Sequence, residues 1–229
     1  MNPATTATEL VGTFFLVLTI GLAVAAGTPL APLAIGGVLM VLVYMGGHVS
    51  GAHYNPAVTL AVWMRGKLPT ADVLPYVVAQ LAGAALGALA AYALTGRTFA
   101  PAPGEGVSLA RALGAEALYT FALALVVLNV ATSRQTEGNS FFGLAIGGTV
   151  AAAAFAAGGV SGGAFNPAVG LGPALVHAAL GGGAVGHAWV YVAGPLAGAA
   201  LAALLFRLQN PADTEQAIPA PPAGEVVGG

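Results

Sequence analysis

An asparagine followed by proline and alanine starts a helix efficiently and leaves an amide donor beside it. This chain places that triplet inside two copies of one ten-residue segment. Val49-Ser50-Gly51-Ala52-His53-Tyr54-Asn55-Pro56-Ala57-Val58 returns as Val160-Ser161-Gly162-Gly163-Ala164-Phe165-Asn166-Pro167-Ala168-Val169, identical at seven of ten positions. Asparagine is among the best N-cap residues, and proline suits the first helical position because its missing N–H would be unsatisfied there anyway. With the side-chain oxygen on the helix end, the NH₂ is expected to stay free to donate into a lumen. Ala57 and Ala168 are small enough for the two helix ends to approach closely. Paired N-termini would bring two positive dipole ends to one place, a field that repels cations. These residue types suit selection and passage, and they neither make nor break bonds.

The triplet by itself is a weak signal. Asn2-Pro3-Ala4 and Asn210-Pro211-Ala212 carry it too, and both read as ordinary caps or turns. The inner copies differ in context: a shared Val-Ser-Gly lead, a short apolar run behind, and long apolar runs on both sides.

Composition sets where such a device would work. The chain is 58% hydrophobic and 6% charged, with a formal charge of −2 and a mean hydropathy of +0.87. Soluble domains carry about 25% charged residues, so this one is an integral membrane protein. There is no basic patch to suggest nucleic acid. Absence of cysteine excludes disulfides, thiolate metal sites and cysteine nucleophiles. The first apolar run lacks a positively charged leader and reads as a retained span.

Six runs are long enough for roughly 30 Å of hydrocarbon, at about 20 residues each. They lie near residues 9–27, 33–47, 73–94, 110–131, 141–159 and 185–208. Two further apolar pieces, Pro56–Met64 and Pro167–Ala179, are too short to span and read as re-entrant half-helices. Further matches relate the halves: Glu9, Thr13 and Phe14 to Glu116, Thr120 and Phe121; Ala34-Ile35-Gly36-Gly37 to Ala145-Ile146-Gly147-Gly148; Leu81-Ala82-Gly83-Ala84-Ala85-Leu86 to Leu196-Ala197-Gly198-Ala199-Ala200-Leu201. Three spans per copy is an odd number, so the second copy enters upside down as an inverted repeat. The expected organisation is one channel domain over 1–208, with repeats at 5–95 and 109–208. A disordered cytoplasmic tail would follow over 209–229. With the N-terminus inside, Arg65, Lys67, Arg134 and Arg207 are cytoplasmic, against Arg97 and Arg111 outside. That asymmetry favours a multi-pass protein of the cell (inner) membrane with both termini in the cytoplasm.

On these motifs the chain resembles the aquaporins, or major intrinsic proteins, across roughly residues 9–208. Gly47-His48-Val49-Ser50-Gly51-Ala52-His53-Tyr54-Asn55-Pro56-Ala57-Val58-Thr59 looks like the family's first signature loop, and Gly162 to Val169 looks like the second except at one position. The resemblance implies an all-α membrane fold of six transmembrane helices and two half-helices. It also implies a homotetramer with one pore per subunit, selective for water or small uncharged solutes, with no cofactor. Family members usually carry arginine directly after the second Asn-Pro-Ala, where this chain has Val169. The family's spacing places Ile35, Ala154 and Gly163 as the other constriction positions.

Those four side chains offer no donor or acceptor, so the constriction is expected to be wider than a pure water filter. The resemblance to glycerol facilitators stops at the same place, since they carry arginine then aspartate where this chain has Val169 and Gly170. What remains is a permissive pore for neutral polyhydroxy molecules such as arsenous acid, antimonous acid, boric acid, urea and glycerol. The valine-for-arginine change resembles a bacterial branch associated with arsenite movement. A water-selective pore, a structural membrane protein with this fold and an ion-coupled transporter are the rivals. Coupling needs intramembrane carboxylates, and only Glu9 and Glu116 are available.

In the family such glutamates accept backbone N–H groups from the re-entrant loops, whereas the simpler reading is a headgroup-level charge at a helix start. His48 and His53 flank the first loop, where a side chain can bond loop carbonyls or touch the pore. The resemblance implies the former, and His48 joins Glu9 and Glu116 as an expected loop support. His177 and His187 read as interfacial, and four histidines without acidic partners do not suggest a metal site. Gly83-x-x-x-Gly87 and Gly194-x-x-x-Gly198 would let helices pack closely. Tyr54 and Phe165 could line the lumen or pack behind the half-helices.

Overall fold

The computed structural model describes residues 2–183 and 185–214. Helices run α1 (Pro3–Ala26), α2 (Ala31–Ser50), α3 (Pro56–Met64), α4 (Thr70–Thr95), α5 (Leu109–Ala131), α6 (Phe142–Ser161), α7 (Pro167–Ala179), α8 (Val190–Gln209) and α9 (Pro211–Thr214), with a 3₁₀ turn at Arg134–Thr136. Among the described residues, six helices are long and apolar enough to cross a membrane: α1, α2, α4, α5, α6 and α8. The half-helices α3 and α7 occupy the bounds their sequence suggested.

The spans meet through glycine. A Cβ on Gly83 would fall 2.3 Å from the Leu10 carbonyl oxygen, and one on Gly87 2.5 Å from that of Phe14. The second repeat repeats this contact, with Gly198 facing the Ala117 carbonyl at 2.2 Å. Both spaced glycine pairs therefore press α4 onto α1 and α8 onto α5. The Ile-Gly-Gly repeat has a different purpose. Gly36 and Gly147 face each other where α2 crosses α6, each leaving no room for a Cβ beside the other's carbonyl. The half-helices are exchanged between repeats: α3 packs on α8, and α7 on α4.

Two boundaries differ from the sequence reading. The first span begins at Pro3, because the Asn2 side chain accepts the Ala4 N–H at 3.0 Å and starts the helix a turn and a half early. The ordered chain also continues past 208, contrary to the expected disorder from 209. Asn210 ends α8 in contact with Asn129, α9 follows, and Asp213 lies 3.6 Å from Arg65 with both side chains buried. The Arg65 guanidinium also stacks on Phe206, and the Arg134 N–H donates to Asp213. The rest of the expected tail lies outside the described residues.

The buried pair ties α9 to the end of α3, and removing one partner strands the other charge, at about 3 kcal/mol. Asp213→Ala is therefore expected to lower the thermal unfolding midpoint in detergent. An unchanged midpoint would show that α9 is held by other contacts.

Candidate functional site

Each half-helix is preceded by a loop whose backbone has left the helix, so its N–H groups need new partners. Glu9 and Glu116, both fully buried, supply them. Glu9 accepts the Ser50 hydroxyl at 2.7 Å, the His53 N–H at 2.9 Å, the Tyr54 N–H at 2.7 Å and the Gln80 amide at 2.8 Å. Glu116 accepts the Ser161 hydroxyl at 2.7 Å and the N–H groups of Ala164 and Phe165 at 3.0 and 2.6 Å. The repeated serines also accept the N–H of Ala52 and of Gly163. Tyr76 and Tyr191 donate to the carbonyls of Ser50 and Ser161, closing each loop from α4 and α8.

Held in this way, Tyr54 and Phe165 adopt left-handed backbone angles, φ 49 and φ 48. That conformation costs an ordinary residue about 1–2 kcal/mol. A hydrogen bond to a charged group contributes about 1.5–3 kcal/mol, so the carboxylates outweigh the strain. The left-handed turn presents each carbonyl to the opposite repeat. Asn55 Nδ2 donates to the Phe165 carbonyl at 3.0 Å, and Asn166 Nδ2 to the Tyr54 carbonyl at 2.8 Å. Each Asn oxygen meanwhile accepts the N–H two residues on, from Ala57 at 2.8 Å and Ala168 at 2.9 Å.

This corrects the expectation of a free NH₂. One hydrogen of each amide is committed across the repeat interface, and one is left for the lumen. The two helix starts together supply about one elementary positive charge at this point. The aromatic rings pack behind the half-helices, fully buried, with Tyr54 seated against Gly12 and Gly46 and bonded to the Leu42 carbonyl.

A cavity of about 450 Å³ lies over the asparagine pair. Asn55, Asn166, Ile35, Ala154, Gly163 and Val169 all line it, so the structure brings the four constriction candidates to one space. A second cavity, of about 840 Å³, opens between Lys67 and Arg134 at the other end. Gly51, His53, Val127 and Ile146 line both, so the two cavities adjoin at these residues.

His48 is not a loop support. It sits exposed in the last turn of α2 and lines the second cavity, and the described residues show no hydrogen bond between it and the loop. His53 is the buried histidine, with Nδ1 3.1 Å from the Thr59 hydroxyl and its ring against Tyr76. Sequence reasoning passed over Ser50, Ser161, Tyr76 and Tyr191 as working residues. The tyrosines did carry a signal, since each stands seven residues before the glycine of its repeat's Leu-Ala-Gly-Ala-Ala-Leu segment, Gly83 or Gly198.

The sequence matches the family of major intrinsic proteins over residues 4–206. The chain belongs to that family. As a major intrinsic protein it is a membrane channel of the aquaporin and aquaglyceroporin type, for water and small solutes, and not an enzyme. It is 38% identical to glycerol uptake facilitator protein-like 6 of Lactiplantibacillus plantarum over 218 residues, 90% of this chain and 97% of that one. It is 40% identical to the probable aquaporin AqpM of Archaeoglobus fulgidus over 172 residues, 72% of this chain and 70% of that one. The X-ray structure of the aquaglyceroporin from Plasmodium falciparum shares the fold, with a TM-score of 0.81 at 24% identity, covering 92% of this chain and 98% of that one.

The carboxylates make a direct prediction. Glu116→Ala orphans two loop N–H groups and leaves Phe165 strained without compensation. Folded yield and water permeability in reconstituted vesicles are both expected to fall. Normal yield with normal flux would remove Glu116 from its supporting role.

Proposed function

We propose that this channel passes small uncharged solutes together with water, arsenous acid and related metalloid acids among them, through an arginine-free, widened constriction. One observation carries the reading: Ile35, Ala154, Gly163 and Val169 line a single cavity, and none brings a side-chain donor or acceptor. By the family resemblance, an arginine at the place of Val169 would fill that space and present a fixed charge. Valine there lowers the steric penalty for solutes larger than water. The loss of that guanidinium leaves exclusion of cations to the two half-helix ends. The name of the Lactiplantibacillus relative speaks of glycerol uptake, which fits glycerol or urea as further cargo. We also propose a homotetramer in the cell (inner) membrane with both termini cytoplasmic. In that orientation the cavity between Lys67 and Arg134 is the cytoplasmic mouth and the Val169 constriction is the outer one.

Light-scattering flux in proteoliposomes tests the reading, comparing water, glycerol and arsenous acid for wild type and Val169→Arg. Solute flux in wild type is expected to fall in the variant while water flux is retained. Wild-type vesicles that pass water alone would mean the pore narrows elsewhere, and the metalloid reading would be dropped for a water channel.

A further inference from the structure

The connection between α4 and α5 runs across the outer mouth and is fastened on both repeats. Phe99 lies against Gly21 of α1, where a Cβ would fall 2.6 Å from its ring. On the other side, the Thr98 hydroxyl is 2.8 Å from His177 Nδ1 on α7, and the Gly104 N–H donates to the Val160 carbonyl at 3.0 Å. His187 Nε2 lies 3.1 Å from the Pro101 carbonyl. A carbonyl can only accept, so that ring nitrogen carries the hydrogen. The His187 ring is in turn set edge-on against Tyr191, the residue that closes the second loop.

Between these fastenings the chain reads Ala100-Pro101-Ala102-Pro103. Alternating prolines fix their own φ and hold the preceding residues extended, so the segment is stiff. It comes against the constriction itself. Phe99, Ala100, Pro101 and Ala102 line the same cavity as Val169 and Gly163. A Cβ on Gly162 would lie 2.8 Å from both the N and the O of Ala102, so no side chain fits between this segment and the second loop. The Ala102 N–H has no protein acceptor among the described residues, and Ala102 is exposed at the cavity. It therefore offers a backbone donor beside four constriction side chains that offer none.

We propose that residues 97–104 form a fifth wall of the constriction, held by His187 as a positioning residue. The strap, and not the four constriction side chains alone, then sets the largest solute admitted. The proposal rests on the reading that the Val169 constriction selects solutes, and goes beyond it by naming a second element that limits size.

The test is vesicle swelling in water, glycerol and a five-carbon polyol, for wild type, His187→Ala, His187→Gln, Ala102→Phe and Val169→Arg. His187→Ala frees the Pro101 carbonyl and is expected to raise the flux ratio of the five-carbon polyol to glycerol by about tenfold, the scale of a methylene-sized change in a pocket. His187→Gln keeps an N–H donor and should restore most of the wild-type ratio, which a general loss of packing would not do. Ala102→Phe adds bulk at an exposed position and should cut glycerol flux more than water flux.

Unchanged ratios in both His187→Ala and Ala102→Phe would overturn the proposal. If His187→Ala does not fold, Ala102→Phe decides alone. A response to Val169→Arg without one to the strap variants would sink the strap and leave the widened filter standing. If wild type passes only water, the widened-filter reading fails, and the strap is judged by whether His187→Ala admits glycerol. Admission supports it, and continued exclusion overturns it.

Discussion

A backbone that stops being helical within a bilayer leaves its N–H groups facing hydrocarbon, at several kcal/mol each. Every other feature of this protein depends on how that is solved. Two buried carboxylates, Glu9 and Glu116, are the solution, and each is itself tolerable at depth only because loop donors surround it. Carboxylate and loop are thus each other's justification. The arrangement also allows a left-handed aromatic residue before each asparagine, and that turn aims the carbonyl which the opposite asparagine needs. From one electrostatic constraint follow the loop shape, the meeting of the half-helices and the placement of two amide donors.

The halves solve the same problem with unequal means. In the first, His53, Thr59 and Gln80 extend the polar network outward from Glu9. At the matching places the second half has Ala164, Gly170 and Pro195. Gly170 has a steric reason, because a Cβ there would fall 2.3 Å from the Tyr191 Cβ. With α7 pressed that closely to α8, no threonine can stand where Thr59 does. The lining is therefore polar beside His53, where the two cavities adjoin, and apolar around Val169.

Approach to the constriction is governed by glycine in the same way. Gly162 permits the strap's Ala102 peptide to come against the second loop, and Gly104 lets the strap settle on the Gly159 carbonyl. Around Val169 the cavity is walled by backbone and aliphatic surface. In the proposed pore, exclusion of cations falls to the field of the two helix starts at the asparagines.

Much of this was legible in the chain. The duplicated Val-Ser-Gly and Asn-Pro-Ala segments, with an odd number of apolar runs in each copy, determined the inverted repeat and the two half-helices. Hydrophobicity and length are properties of contiguous sequence, and they decide membrane spans without reference to distant residues. The equivalence of Glu9 and Glu116 pointed to a shared role for the same reason. The tertiary structure alone decided the rest. It separated His53 from His48, since the choice depends on which way the chain turns after Gly51. It turned the asparagine amides across the repeat interface, joined Asp213 to Arg65 and drew the α4–α5 strap over Val169. The last three are contacts between residues far apart in the chain, and no local pattern encodes them.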